Sequence, residues 1–136
     1  MNDKNTGTMD IKARLSTLWI FIMFNMAFAD ILGFIRPGFL KDLEAGYAGA
    51  VRITPEFLLI AAVCLEIPIA MIVLSRLLKR GANRRANIIA GIFTIVFVTA
   101  GGTTALYYIF FASVEVVCSL IIIWLAWKWH NPEAQP

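Results

Sequence analysis

The chain has 136 residues, of which 60% are hydrophobic and 15% charged, with a net charge of +3 and a mean hydropathy of +0.76. Soluble domains contain roughly 45–50% apolar and about 25% charged residues, so this composition indicates an integral membrane protein. Several spans of about 20 residues leave no room for a separate soluble domain, and we expect residues 1–136 to form a single transmembrane domain. The basic residues flank apolar stretches and form no surface interleaved with aromatic residues, which argues against nucleic-acid binding.

The first predicted span covers residues 15–35. Basic residues precede it, and Ala27-Phe28-Ala29 resembles a signal-peptide cleavage site. The apolar run nevertheless continues to Ile35 and reaches spanning length, so we expect an uncleaved first helix. Arg36-Pro37-Gly38 ends that helix.

The longest predicted loop follows at residues 37–52. Apolar residues in it recur at roughly helical spacing, at Phe39, Leu40, Leu43 and Tyr47, with charged residues between them. This pattern predicts a short amphipathic helix on the membrane surface. An irregular loop is the alternative.

Three further spans are predicted, at residues 55–78, 85–100 and 105–129. The second span has a clear start, with Thr54 as N-cap and Pro55 as the first helical residue. The predicted fold class is therefore all-α: an integral membrane four-helix bundle with a short interfacial helix in the first loop.

The distribution of basic residues predicts the orientation of the bundle. With four spans, the N-terminus, the middle loop and the C-terminus share a side that carries nine Lys and Arg residues, against three on the other side. The positive-inside rule then places both termini in the cytoplasm. The four tryptophans lie toward the cytoplasmic ends and the three tyrosines toward the outer side, where both would act as interface anchors.

Each predicted span carries one polar residue near the middle of the bilayer. At 1.5 Å per residue, these four side chains lie about 14–16 Å deep in a hydrocarbon core of about 30 Å: Asn25, Glu66, Thr94 and Glu115. A charged group at this depth costs about 2.5–3.5 kcal/mol on insertion scales, so it usually faces a partner or a cavity.

Three more residues complete the predicted site on the outer side. Asp30 lies about 7–8 Å from the outer end of the first span, and Tyr107 and Tyr108 lie at the mouth. No Lys or Arg is expected at midplane depth. These seven residues predict a pocket that binds a ligand or a proton, with Glu66 and Glu115 as its central acceptors.

Several interpretations of the buried acids remain open. In one interpretation the acids are structural and form hydrogen bonds between helices, each of which contributes about 0.6–2 kcal/mol. In the other, they bind or transport a small amphipathic, lipid-like or cationic ligand. The alternative function is an accessory subunit of a membrane complex, redox complexes included, with exposed faces that bind partners or further copies of the chain. An enzyme that uses the two glutamates as acid and base is least supported, because no nucleophile or metal motif is present. We predict no catalytic residue, metal ligand or cofactor.

Four segments resemble a family of small bacterial four-transmembrane-helix proteins of unknown function that are distantly DoxX-like. They are LSTLWIF (15–21), ITPEFLL (53–59), EIPIAMIVLSR (66–76) and ALYYIFFASVEV (105–116). The resemblance extends over about residues 12–129. It implies a compact, multi-pass four-helix bundle in the bacterial cytoplasmic (inner) membrane, and it implies neither an activity nor cofactor ligands.

Overall fold

Five helices and one small hairpin make up the described part of the chain, which is residues 3–129 of a computed structural model. In chain order they are α1 (Asp3–Ile35), α2 (Phe39–Glu44), β1 (Tyr47–Ala48), β2 (Val51–Arg52), α3 (Pro55–Leu77), α4 (Arg80–Ala100) and α5 (Leu106–Lys128). The prediction of an all-α protein is confirmed.

The four long helices pack side by side as a bundle. α1 contacts α3 and α5, and α4 contacts the same two helices from the opposite corner. The connections between α3, α4 and α5 are short, so these successive helices run antiparallel. The core between them is built from all four helices and includes Leu15, Trp19, Ile22, Met71, Val98 and Ile122.

Three of the long helices are long and apolar enough to cross a membrane: Met9–Ile35, Pro55–Leu77 and Leu106–Lys128. They indicate a membrane protein. α4 has a similar length, 21 residues, but Arg80, Arg84 and Arg85 lie in its first two turns. Its place in the bundle is nevertheless equivalent to that of the other three.

The first loop contains the predicted short helix and a hairpin that was not predicted. Gly38, with a positive φ of 87°, precedes α2. In the hairpin, Tyr47 lies opposite Arg52, and Gly49 has a positive φ of 62° in the turn. The chain then reaches Thr54, whose hydroxyl accepts a hydrogen bond from the Phe57 N–H at 3.1 Å. The predicted N-cap is thereby confirmed.

Two helices begin earlier than predicted. α1 is already helical at Asp3, whereas its span was predicted to begin at residue 15, and α4 begins at Arg80 instead of residue 85. Arg favours the helical state almost as much as Leu, so the basic residues at the start of α4 continue its helix. α3 continues without a break past Pro68, which is buried.

Candidate functional site

A cavity of about 190 Å³ lies between the four long helices. It occupies the outer half of the bundle, defined as the half that contains the C-terminal ends of α1 and α4 and the N-terminal ends of α3 and α5. We call it the acidic cavity. Its wall is formed by Met26, Ala29, Asp30, Leu65, Phe97, Val98, Gly101, Tyr108 and Glu115.

Two carboxyl groups from different helices share this cavity. Glu115 of α5 is only 4% exposed and makes no hydrogen bond or ion pair with any described residue. Asp30 of α1 lines the same cavity and is itself exposed, so it lies at the open side. Among the described residues, no Lys, Arg or His belongs to the wall. A buried polar group without a partner is costly, and here two acids lie together without a compensating cation.

Aromatic rings complete the wall. The Tyr108 hydroxyl donates a hydrogen bond to the Val98 carbonyl oxygen at 2.8 Å. Gly102 leaves room for that ring, because a Cβ atom there would lie 2.8 Å from Tyr108 Cε1. Phe97 stacks on Phe93 with ring centroids 6.0 Å apart. The cavity therefore combines two acids with rings held in fixed positions.

Two hydroxyl groups lie buried near the cavity without partners. Thr94 of α4 is 1% exposed and Ser119 of α5 is fully buried, and neither side-chain oxygen has a hydrogen-bond partner among the described residues. Ser119 follows Glu115 by four residues, and Thr94 precedes Val98 by four, so each lies one helical turn from the cavity wall. Thr94 itself does not line the cavity.

Glu66, which we expected at the centre of the pocket, lies elsewhere. It is exposed on the outward face of α3, while Leu65 lines the cavity. Consecutive residues of a helix are about 100° apart around its axis, so counting residues gives the depth of a side chain but not its direction. The expectation that Glu66 faces Glu115 in a shared interior is wrong. A ligand-binding role for Glu66 stays a prediction.

Two other predicted residues also lie outside the acidic cavity. Asn25 lines a separate groove on the outside of α1 and α5, and its side-chain amide donates to the Phe21 carbonyl oxygen at 2.8 Å. Tyr107 is half-buried, with its hydroxyl against Gly33, where a Cβ atom would lie 3.4 Å away. The structure thus brings together Asp30, Tyr108 and Glu115 from the predicted set.

The opposite half of the bundle contains a polar cluster that was not predicted, which we call the inner network. Asn87 Oδ1 accepts from Trp19 Nε1 at 2.7 Å and from Ser75 Oγ at 3.2 Å, and Asn87 Nδ2 donates to Asn83 Oδ1. Asn83 Nδ2 donates in turn to the Ser75 carbonyl oxygen at 2.6 Å. All four residues are fully buried. Their hydrogen bonds join α1, α3 and α4.

The inner network corrects the interpretation of Trp19. Its indole is part of the core, so it is not an interface anchor. A signal was present in the sequence. Asn83, Asn87 and Thr94 are separated by four and seven residues, which places them on one face of α4. A polar stripe on an otherwise apolar helix indicates the face that packs against other helices.

A family model described as "Family of unknown function (DUF6326)" matches residues 7–135 of the chain. No curated protein matches the chain, and no solved structure does so either. The match covers nearly the whole sequence and carries no activity with it.

Proposed function

We propose that this chain, which belongs to the family of unknown function DUF6326, binds a small amphipathic cation in the acidic cavity and carries it within the membrane. The observation that supports the proposal is Glu115. Its carboxyl group is almost completely buried and lacks a partner among the described residues, yet it lines an open cavity together with a second acid. A cationic ligand would supply the missing interaction.

The size and lining of the cavity favour a compact organic cation. An engineered protein cavity of roughly 150 Å³ binds benzene, so about 190 Å³ accepts a ligand of similar size. Methyl or methylene groups of such a ligand fit against Met26 and Leu65. Its positive charge would lie near the two acids and against Phe97 or Tyr108, where cation–π attraction adds to the binding energy.

The proposal includes a four-span topology, in which α4 also crosses the membrane. Asn83, Asn87 and Thr94 all point into the bundle, whereas Ile89 and Val96 are exposed and would contact lipid. α4 lies beside α3 and α5, both of which are candidate spans. The charge distribution supports a cytoplasmic location of both termini, and the bacterial inner membrane and a distant kinship with DoxX-like proteins remain predictions.

Calorimetric titration of the purified full-length protein tests the ligand class. Choline is a suitable probe, and 3,3-dimethyl-1-butanol is its neutral analogue of the same shape. We expect choline to bind more tightly than the neutral analogue. Glu115→Gln should weaken choline binding by about tenfold or more, because it removes a charge that the ligand would pair with at low dielectric.

Matched variants make this test specific. Asp30→Asn should weaken choline binding less than Glu115→Gln, because Asp30 is exposed. Ser113→Ala should change nothing, because the exposed Ser113 hydroxyl bonds only to the Ile109 carbonyl oxygen of its own helix. Equal binding of choline and its neutral analogue, or an unchanged affinity in Glu115→Gln, would contradict the proposal.

A second function, as an accessory subunit of a membrane complex, is favoured by the position of Glu66. An exposed carboxyl group in the middle of a candidate span indicates a surface that another protein covers. Purification from native membranes under mild conditions tests this function. A stoichiometric partner of different sequence would support it.

A further inference from the structure

Glu66 is an exposed acid in the middle of α3, a candidate membrane span. Its neighbours on the same helical face are also exposed, with Leu59 and Val63 on the outer side and Val73 on the inner side. Lipid offers no hydrogen-bond partner to such a carboxyl group, so the group needs a polar partner at the same depth. None of the described residues of its own chain provides one.

A groove on another face of the bundle presents a polar group of complementary chemistry. This aromatic groove, of about 460 Å³, is lined by Thr17, Ile20, Phe21, Phe24, Asn25, Phe28 and Phe111. Asn25 is 9% exposed and uses only one amide N–H, in its bond to the Phe21 carbonyl oxygen. Its second N–H and its Oδ1 atom have no partner among the described residues. A carboxamide with one free donor and one free acceptor matches a carboxyl group.

The depths of Glu66 and Asn25 can be compared within one chain. The Ser16 hydroxyl donates to the Ile72 carbonyl oxygen at 2.8 Å, so residue 16 of α1 and residue 72 of α3 lie at one level. The contact between Lys12 and the Arg76 carbonyl oxygen, at 3.5 Å, shows that the two helices run antiparallel. Counted from the Ser16–Ile72 pair at 1.5 Å per residue, Asn25 lies about 4.5 Å farther toward the outer end than Glu66.

The directions of the two side chains reduce this difference. Side chains lean toward the N-terminus of their own helix. α3 begins at the outer end, so Glu66 leans outward. α1 begins at the inner end, so Asn25 leans inward. In an assembly with its symmetry axis along the membrane normal, each copy keeps the same depth, and the two groups therefore come to one level.

We propose that copies of this chain associate in the membrane by a head-to-tail contact, in which Glu66 of one copy enters the aromatic groove of the next and pairs with Asn25. The apolar neighbours of Glu66 on α3 then pack against the phenylalanines of the groove. Because the two surfaces differ, the contact is heterologous, and the angle between them determines how many copies close a ring. This assembly does not depend on a ligand in the acidic cavity.

Cysteine cross-linking between two differently tagged copies tests the contact. Both copies carry Cys64→Ala and Cys118→Ala, one also carries Val63→Cys beside Glu66, and the other Phe28→Cys in the groove, so that Glu66 and Asn25 stay intact. After co-expression and treatment with a short bis-maleimide in the membrane, we expect a cross-link between the two tags and none in cells that express either copy alone. A cross-link in the Val63→Cys copy alone would show a twofold contact between α3 helices and would overturn the proposal.

Association in lipid bilayers, measured by single-molecule photobleaching, provides an independent test. Glu66→Leu should lower the association constant about tenfold, the effect expected for one interhelical polar pair. Glu66→Gln should stay near the wild type, because a glutamine carboxamide can form the same pair of hydrogen bonds with the Asn25 carboxamide. Thr99→Val is the control, since that exposed hydroxyl bonds to carbonyl oxygens of its own helix. A monomeric wild type, or an unchanged Glu66→Leu, would overturn the proposal.

Discussion

The two halves of the bundle differ in the hydrogen bonding of their buried polar groups. In the inner network, Asn87 alone holds Trp19, Ser75 and Asn83 through hydrogen bonds. In the outer half, Glu115 and Thr94 are also buried but have no described partner, and the same holds for the Ser119 hydroxyl near the middle of α5. A satisfied network fixes the relative positions of helices, whereas unsatisfied groups beside a cavity leave interactions for a ligand.

The same helix contributes to both halves. α4 carries Asn83 and Asn87 in its first half and Thr94 and Val98 in its second half, all on one face. The polar side chains on the inner part of that face form hydrogen bonds within the protein. The outer part of the face borders the cavity. The comparison therefore predicts opposite effects in the two halves when a buried polar residue is replaced by an apolar one. The replacement should lower the stability of the protein in the inner network and should not lower it beside the cavity.

The largest effect is expected from Asn87→Ala in the inner network. This change leaves the Trp19 N–H, the Ser75 hydroxyl and the Asn83 side-chain oxygen without a partner, and we expect a loss of about 2–4 kcal/mol in the free energy of unfolding. Unfolding by SDS in mixed micelles measures it. Thr99→Ala, an exposed position on the same helix, should change stability by less than about 0.5 kcal/mol. A variant Asn87→Ala as stable as this control would show that the network does not hold the bundle together.

Glu115→Leu should shift stability in the other direction. Leucine is close in volume and removes an unpaired carboxyl group from an apolar interior, so stability should stay constant or rise by up to about 2 kcal/mol. The same unfolding measurement applies. A loss of more than about 1 kcal/mol would mean that Glu115 makes a structural interaction and that the cavity is not a ligand site.

The smallest effects come from single hydroxyl groups, and they compare the halves most directly. Thr94→Val removes a hydroxyl without a described partner and should raise stability by about 0.5–1 kcal/mol. Ser75→Ala removes a hydroxyl that bonds to Asn87 and should lower stability by about 1 kcal/mol. If both variants change the stability in the same direction, the proposed contrast between the two halves is wrong.

Much of the architecture follows from local sequence signals. The apolar stretches that predict the first, second and fourth spans correspond to α1, α3 and α5, and the Thr54-Pro55 start is exact to the residue. The extension of α1 to Asp3 and of α4 to Arg80 was missed. Basic residues indicate where a helix reaches the membrane surface, but they do not end the helix at that point.

The candidate site was predictable only in part. Asp30, Tyr108 and Glu115 share a cavity, whereas Glu66 is exposed on the outside of α3 and Asn25 is buried in the wall of a separate groove. Each helix can rotate about its axis without changing the depth of any residue. The rotation is decided by packing, and for α3 the buried side chains are Pro68, Met71 and Ser75.

The sequence by itself determined that this is a helical, membrane-type protein with acidic residues at mid-span, because hydropathy and helical rise depend only on the order of residues. The tertiary structure decided which of those acids line a shared cavity and which are exposed on the outside of the bundle. It also showed that the asparagines of α4 are bonded across three helices while Glu115 is left without a described partner. Hydrogen bonds between helices depend on the rotation of each helix about its axis, which decides where its side chains point. That rotation is fixed only when all four helices pack together.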